Sequence, residues 1–338
     1  MWLFNSSIGR KLVMSISGLC LILFVTFHVL MNSVALIWPT AYNQVCEFLG
    51  ANWYALIASM GLAAIFILHI AYAFVLTMQN RKARGNDRYA VTSRPPQVEW
   101  ASKNMLVLGI VIVAFLVVHL IQFWAKMQLQ ELRHAELAVL PQLEGLPVEP
   151  AQGTLFLQMA FSHIWTPIVY IIGFIALWFH MNHGFWSMFQ SAGYNNQTWI
   201  PRLKKIGCWW TTIVIALFVA QAVVFTVRAH QKYYTSNVAL QEQYAATLDR
   251  EAQELTNGID ASKSQVADWK EFCETAGVPF LKEAQPILAI YKGRCASVLG
   301  EDTHYIKLKA YYDQIEEMCK YFGIAVPGAQ TTNETNQQ

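Results

Sequence analysis

Five stretches of this chain run without Asp, Glu, Lys or Arg for long enough to cross a bilayer. They are Leu12 to Trp38, Ala51 to Asn80, Asn104 to Ala125, a segment within Pro150 to Pro201, and Ile206 to Val227. A spanning helix needs about 20 residues, and in hydrocarbon every backbone N–H and C=O must be bonded internally. The stretches are therefore read as helices, and residues 1–230 as a five-span transmembrane helical bundle in an all-α fold. The composition agrees, with 14% charged residues where a soluble domain carries about 25%. The fourth stretch exceeds what one span needs. Its helix is expected near Gln152 to Phe189, kinked but not ended by Pro167.

The placement of charge sets the expected orientation. The second connection carries Arg81, Lys82, Arg84, Arg88, Arg94 and Lys103, the fourth carries Arg202, Lys204 and Lys205, and Arg10 and Lys11 precede the first span. The first connection has Glu47 and no Lys or Arg, and the third mixes Lys126 and Arg133 with Glu131, Glu136, Glu144 and Glu149. The positive-inside rule then puts the amino terminus in the cytoplasm and the carboxyl terminus outside an inner (cytoplasmic) membrane. The apolar run after Lys11 is too long for a signal-peptide core, so no cleavage is expected.

After Val227 the chain turns polar. Residues 231–325 show helical patterning, as in Val266, Trp269, Phe272 and Cys273, or Tyr305, Leu308, Tyr311, Tyr312, Ile315 and Met318. They are read as an added C-terminal all-helical extramembrane domain, and residues 326–338 as a disordered tail. Under the expected topology Cys46, Cys273, Cys295 and Cys319 lie outside, where disulfides persist. Three pairings of the four are open, as is the reading that some stay free and buried. No Cys-x-x-Cys occurs, which argues against covalent c-type haem and simple iron–sulfur ligation.

The chemistry lies in four histidines, His28, His69, His119 and His180, one in each of four apolar stretches. An imidazole in hydrocarbon is costly and marks a functional site. His28 is 18 residues past Arg10, ~27 Å along a helix rising ~1.5 Å per residue. His119 is similarly 16 residues past Lys103. The second and fourth spans run inward, with His69 12 residues before Arg81 and His180 close to the inner end. Two histidines are thus high and two low, which pairs His28 with His119 and His69 with His180. Paired neutral imidazoles suit the iron of two haem b groups and leave no open position for a substrate.

Several residues carry competing readings. His163 is the alternative outer ligand, near the outer end of the fourth span. Gly18, Gly61, Gly109 and Gly173 would let macrocycles approach the helices, or else serve close helix packing. Arg81, Lys82, His183 and Ser187 are candidate partners for inner haem propionates, while the two cations equally serve topology and docking. His134, His230 and His304 read as surface residues.

The segment Ser15 to Ser33, with Ser17-Gly18 before His28 and Asn32-Ser33 after it, resembles the first helix of a single-chain di-haem cytochrome b subunit. That family anchors succinate:quinone oxidoreductases, meaning succinate dehydrogenase or fumarate reductase. The run Phe179-His180-Met181-Asn182-His183-Gly184-Phe185-Trp186-Ser187 is similar to its fourth-helix signature, in which the first His is a ligand. The resemblance covers residues 1 to 230 and implies the same haem pairing that depth gives. It further implies flavoprotein and iron–sulfur subunits on the cytoplasmic face, with quinone, menaquinone by preference, as the membrane substrate. On this reading the chain does not itself turn over succinate but carries the quinone site. Lipid is the remaining contact, and no nucleic-acid partner is expected. Glu47, just past the first span, is the expected proton handler for quinone, against the plainer reading of a solvated loop acid.

The chain departs from the family in two respects. Ala176, Leu177, Trp178 and Phe179 precede His180 where some members have a proton-conducting glutamate, and the domain after residue 230 is an addition. The alternative within redox chemistry is the haem b subunit of another quinone-linked complex, such as a formate dehydrogenase or hydrogenase. A transporter with histidines along a polar path would need mid-membrane carboxylates or broken helices, which the sequence lacks.

Overall fold

The computed structural model describes residues 6–84, 100–194, 196–298 and 304–327. Arg88 and Arg94 of the basic connection and the tail from residue 328 lie outside the described residues. The chain divides into two compact units, one of Met1–Arg133 with Pro150–Lys232, the other of His134–Glu149 with Tyr233–Gln338.

In the first unit, helix α1 (Ser7–Ile37) starts where the Ser6 side chain accepts from the Gly9 N–H at 2.9 Å. Pro39 opens α2 (Pro39–Ala51), a position where its missing N–H costs nothing. Then come α3 (Trp53–Arg84) and α4 (Trp100–His119), which runs on into a π-helical turn at Leu120–Trp124. The short α5 (Gln128–Leu132), α6 (Gly153–Phe161), α7 (Trp165–Ser191) and α8 (Trp199–His230) complete it. Five helices are long and apolar enough to cross a membrane: Ile8–Ile37, Trp53–Ala83, Trp100–Trp124, Trp165–Ser191 and Trp199–His230. The protein is a multi-pass membrane protein of all-α fold, with further helices toward its carboxyl end.

The fourth span differs from the expected one. The helix stops after Phe161 and restarts at Trp165, which puts Pro167 in the first turn of α7. A first-turn N–H has no intrahelical acceptor, so proline is harmless there, whereas in a continuous helix its ring would clash with the His163 carbonyl. The detached α6 is buried along nearly its whole length. Thr154 N–H donates to Asn43 Oδ1 at 2.9 Å and Gln158 Nε2 to the Ala229 carbonyl at 2.6 Å. Any Cβ at Gly153 would run into Cys46 Sγ and lie 2.8 Å from the Tyr42 ring, so only glycine lets α6 seat on α2.

Helix α7 is central, packing on α1, α4 and α8, and α1 also packs on α3 and α8. Polar side chains tie α8 to α1, as a hydrocarbon interior demands. Gln221 Nε2 donates to the Val29 carbonyl and Ser33 Oγ, each at 2.9 Å. Arg228 donates to the carbonyls of Ala35 and Leu36 at 2.8 and 2.9 Å, satisfying the carboxyl end of α1.

The second unit contains a two-stranded antiparallel ribbon, β1 (Gln142–Leu143) against β2 (Leu146–Pro147). Its helices are α9 (Tyr233–Ser236), α10 (Val238–Gln265), α11 (Trp269–Phe272), a π-helical turn Cys273–Gly277 leading into α12 (Val278–Arg294), and α13 (His304–Tyr321). Helices α10, α12 and α13 pack on one another. Leu240, Tyr244, Leu248, Ala252 and Ile259 form the buried stripe of α10, and Leu308, Ile315 and Cys319 that of α13. Of the first patterned group, Phe272 and Cys273 are buried, whereas Trp269 is 51% exposed and Val266 has left the helix.

The Arg294 guanidinium, 7% exposed, holds the ribbon to α12. It donates to the carbonyls of Pro147 at 2.5 Å, Leu146 at 2.8 Å and Leu143 at 3.1 Å. Beside it, burial and then the Glu251 carboxylate push Glu149 up to about 8. An unfolded Glu149 ionises near 4.5, so between there and about 8 the folded unit keeps a proton that the unfolded chain has released. The unit therefore loses stability as pH rises through that window. Thermal melts of the whole chain in detergent from pH 5 to 9 are expected to show that decline, and Glu149→Gln to flatten it. A wild-type profile already flat over this range counts against a proton retained on Glu149.

Candidate functional site

The four intramembrane histidines meet in two pairs. His28 of α1 and His119 of α4 have ring centroids 5.8 Å apart, and His69 of α3 and His180 of α7 stand at 6.3 Å. Two imidazole nitrogens on opposite sides of one metal, each at ~2 Å, place ring centroids roughly 6 Å apart. The helices within each pair are not close-packed neighbours. Helix α1 packs on α3, α7 and α8 while His119 sits on α4, and α3 packs on α1 and α2 while His180 sits on α7. The rings thus meet between helices that do not pack closely on each other.

Hydrogen bonds orient two of the rings. Tyr170 Oη donates to Gln122 Oε1 at 2.9 Å, so its oxygen accepts from His119 Nδ1 at 3.1 Å. Gln122 in turn donates to Thr166 Oγ1 at 3.3 Å. Ser17 Oγ donates to the Met14 carbonyl at 3.0 Å and accepts from His69 Nδ1, also at 3.0 Å. In both cases the proton is assigned to Nδ1 and the Nε2 lone pair is left for a metal, the arrangement in which an outer partner fixes a ligand's tautomer. His180 Nδ1 is buried without a hydrogen-bond partner. His28 differs, because its Nε2 receives the Asn32 amide at 3.1 Å, and Asn32 Oδ1 receives Tyr42 Oη at 3.1 Å. Ligation through that nitrogen displaces the Asn32 amide.

Among the described residues no group of three or more His, Cys, Asp or Glu could hold a bare metal ion. A two-histidine donor set fits a metal whose other positions are filled by a macrocycle, so the residues fit haem better than a free ion. The surroundings are aromatic: Phe24 and Phe218 flank His28, while Phe115 and Phe123 flank His119.

The glycines separate into kinds. A Cβ on Gly18 would lie 3.5 Å from the His69 ring, and one on Gly109 3.9 Å from that of His180. A Cβ on Gly173 would meet the Phe115 ring at 2.5 Å, which is close helix packing, and Gly61 faces open space. His163 is exposed on the break between α6 and α7, stacked on Trp165 at 6.3 Å, while His119 has the partner.

At the other end, His183 lies one turn past His180 and meets Trp186 edge-on at 4.8 Å. Ser187 is half-buried, and its carbonyl accepts from Ser191 Oγ at 3.0 Å. Arg81 and Lys82 are exposed near the end of α3, Arg81 ~18 Å along the helix from His69. Glu47 is exposed on α2, lining a shallow cleft of about 550 Å³ with Gln44, Phe48, Asn52, Trp53 and Tyr54. The opposite face of α2 carries Tyr42, which reaches His28 through Asn32.

Sequence reasoning missed Tyr170, Gln122 and Tyr42 as partners of the histidines. Gln122 was detectable as an amide in an otherwise apolar stretch. The π-helical turn that begins just after His119, a feature frequent at functional sites, carries Gln122 buried toward Tyr170. Neither family models, nor curated proteins, nor solved structures match this chain.

Proposed function

We propose that this chain is the membrane anchor and electron-transfer subunit of a succinate:quinone oxidoreductase, holding one haem b between His28 and His119 and a second between His69 and His180. The observation that carries the reading is the pair of imidazole couples, at 5.8 and 6.3 Å, each drawn from two separate apolar helices. A haem bound between these imidazoles would supply one-electron transfer. The chain's own residues do the rest. Tyr170 and Ser17 hold His119 and His69 in one tautomer and one orientation. The aromatic walls keep water from the outer couple. Gly18 and Gly109 keep the backbone beside the inner one free of side chains.

The choice of succinate and fumarate rests on the likeness of residues 179–187 to the family's fourth-helix run. With the amino terminus in the cytoplasm, the basic connections face the flavoprotein and iron–sulfur subunits. At the outer side Glu47 takes protons from a quinol, menaquinol by preference, in the cleft beside α2. The test is purification from native membranes. Expected are two low-spin bis-imidazole b-type haems in the reduced-minus-oxidised spectrum and a co-purifying flavoprotein that oxidises succinate. A haem-free chain sinks the reading, and a co-purifying formate dehydrogenase or hydrogenase sinks its succinate assignment.

Glu47→Gln is expected to keep both haems and dye-linked succinate oxidation while quinone-linked turnover falls on the order of 10²-fold, as for loss of a general base. Full quinone turnover in that variant removes Glu47 from the reaction.

A further inference from the structure

Three cysteines lie in the second unit, all of them fully buried: Cys273, Cys295 and Cys319. They do not share one place. Cys295 ends α12 beside Arg294 and close to Glu149. Cys273 and Cys319 instead lie where the turn and α13 pack together, near enough for their thiols to interact. The contact joins the start of the π-helical turn before α12 to the last turns of α13. Gly277 closes that turn, and a Cβ there would lie 3.5 Å from Cys319 Sγ and 3.2 Å from Ile315, so the sulfur is packed over the turn.

We propose that Cys273 and Cys319 form a structural disulfide that fastens α13 to the turn before α12. An S–S bond of ~2.04 Å needs Cβ atoms about 3.5–4.5 Å apart, and two fully buried thiols on packed elements are placed to approach that geometry. The oxidant is the disulfide of a second molecule, a thiol–disulfide exchange partner. The thiolate of one cysteine attacks a sulfur of that disulfide, and the partner's other sulfur leaves as a thiolate. The second cysteine then attacks the mixed disulfide and releases the partner as a dithiol. Two S–H bonds are lost and one S–S bond forms, and the two electrons and two protons end on the partner. Burial, with the Cys273 contact, pushes Cys319 up to about 12, so exchange runs while the unit is folding and its thiols are still open to solvent. Persistence of the bond rests on the orientation in the functional reading, which puts residues after 232 outside the cytoplasm.

The test is alkylation of the chain from native membranes in denaturant, first without and then with reductant, followed by peptide mass mapping. Expected are four labelled cysteines of the six before reduction, with the Cys273 and Cys319 peptides linked. Cys273→Ser and Cys319→Ser are expected to abolish the link and lower the melting point by about 10 °C or more, while Cys295→Ser keeps it. Six labelled cysteines, or a link through Cys295, overturns the proposal, and the native mapping decides even if a variant fails to fold. Haem content read on the same sample separates the two ideas. Two haems without the link sink only the disulfide, and the link without haem sinks only the cytochrome reading.

Discussion

Replacing His28 or His119 with alanine is expected to halve the haem content of the purified chain, and replacing His69 or His180 to remove the other half. On the proposed function each haem would need both imidazoles of its couple, and the flanking rings that remain are apolar: Phe24 and Phe218 at His28, Phe115 and Phe123 at His119. Tyr170 is the nearest polar group at His119, but it already donates to Gln122 at 2.9 Å. The separate couples also predict selectivity, because no histidine of one couple lies in the ring contacts of the other. His163→Ala is expected to keep both haems, since that ring is exposed and stacks on Trp165. Haem extraction and the reduced-minus-oxidised spectrum read the outcome. Two intact haems in His119→Ala, with one lost in His163→Ala, would transfer the ligand role to the break between α6 and α7.

Arg294→Ala is expected to destabilise the second unit by about 3–5 kcal/mol, as for two or three charge-assisted hydrogen bonds lost together. Three ribbon carbonyls, those of Leu143, Leu146 and Pro147, lose a cationic donor at once. Hydrogen bonds to charged groups contribute ~1.5–3 kcal/mol each and do not add fully. Arg294→Lys restores the charge but not the fork that reaches three oxygens, so it is expected to fall between. Limited proteolysis of the whole chain is the measurement, with cleavage within residues 134–149 rising first. Wild-type protection in Arg294→Ala would mean that the ribbon is held by its apolar contacts, such as Leu146 against Gly293.

The five spans were legible because hydrocarbon forbids charge, so the runs without Asp, Glu, Lys and Arg mark them. The histidine couples were legible from depth, since a helix converts residue count into height. The break at 162–164 was not, because Pro167 is compatible both with a kink and with a first turn, and packing of α6 on α2 and α8 decides between them. Tyr170 stayed hidden in an apolar run, 51 residues from the His119 that it serves. The assignment of residues 134–149 to the second unit depends on Arg294, more than 140 residues away, and local periodicity carries no trace of such contacts.

Helix α3 has no buried side chain along its span and leans on α1 and α2. Lipid solvates an apolar helix as well as protein does, so nothing hydrophobic drives this helix onto the others. It nevertheless carries His69. One polar tie to the rest is the hydrogen bond from His69 to Ser17 of α1, and a haem bound as proposed would add another through His180 of α7. Without that group the helix would be held by its packing on α1 and α2 and by the His69–Ser17 bond, leaving it the span most open to lipid.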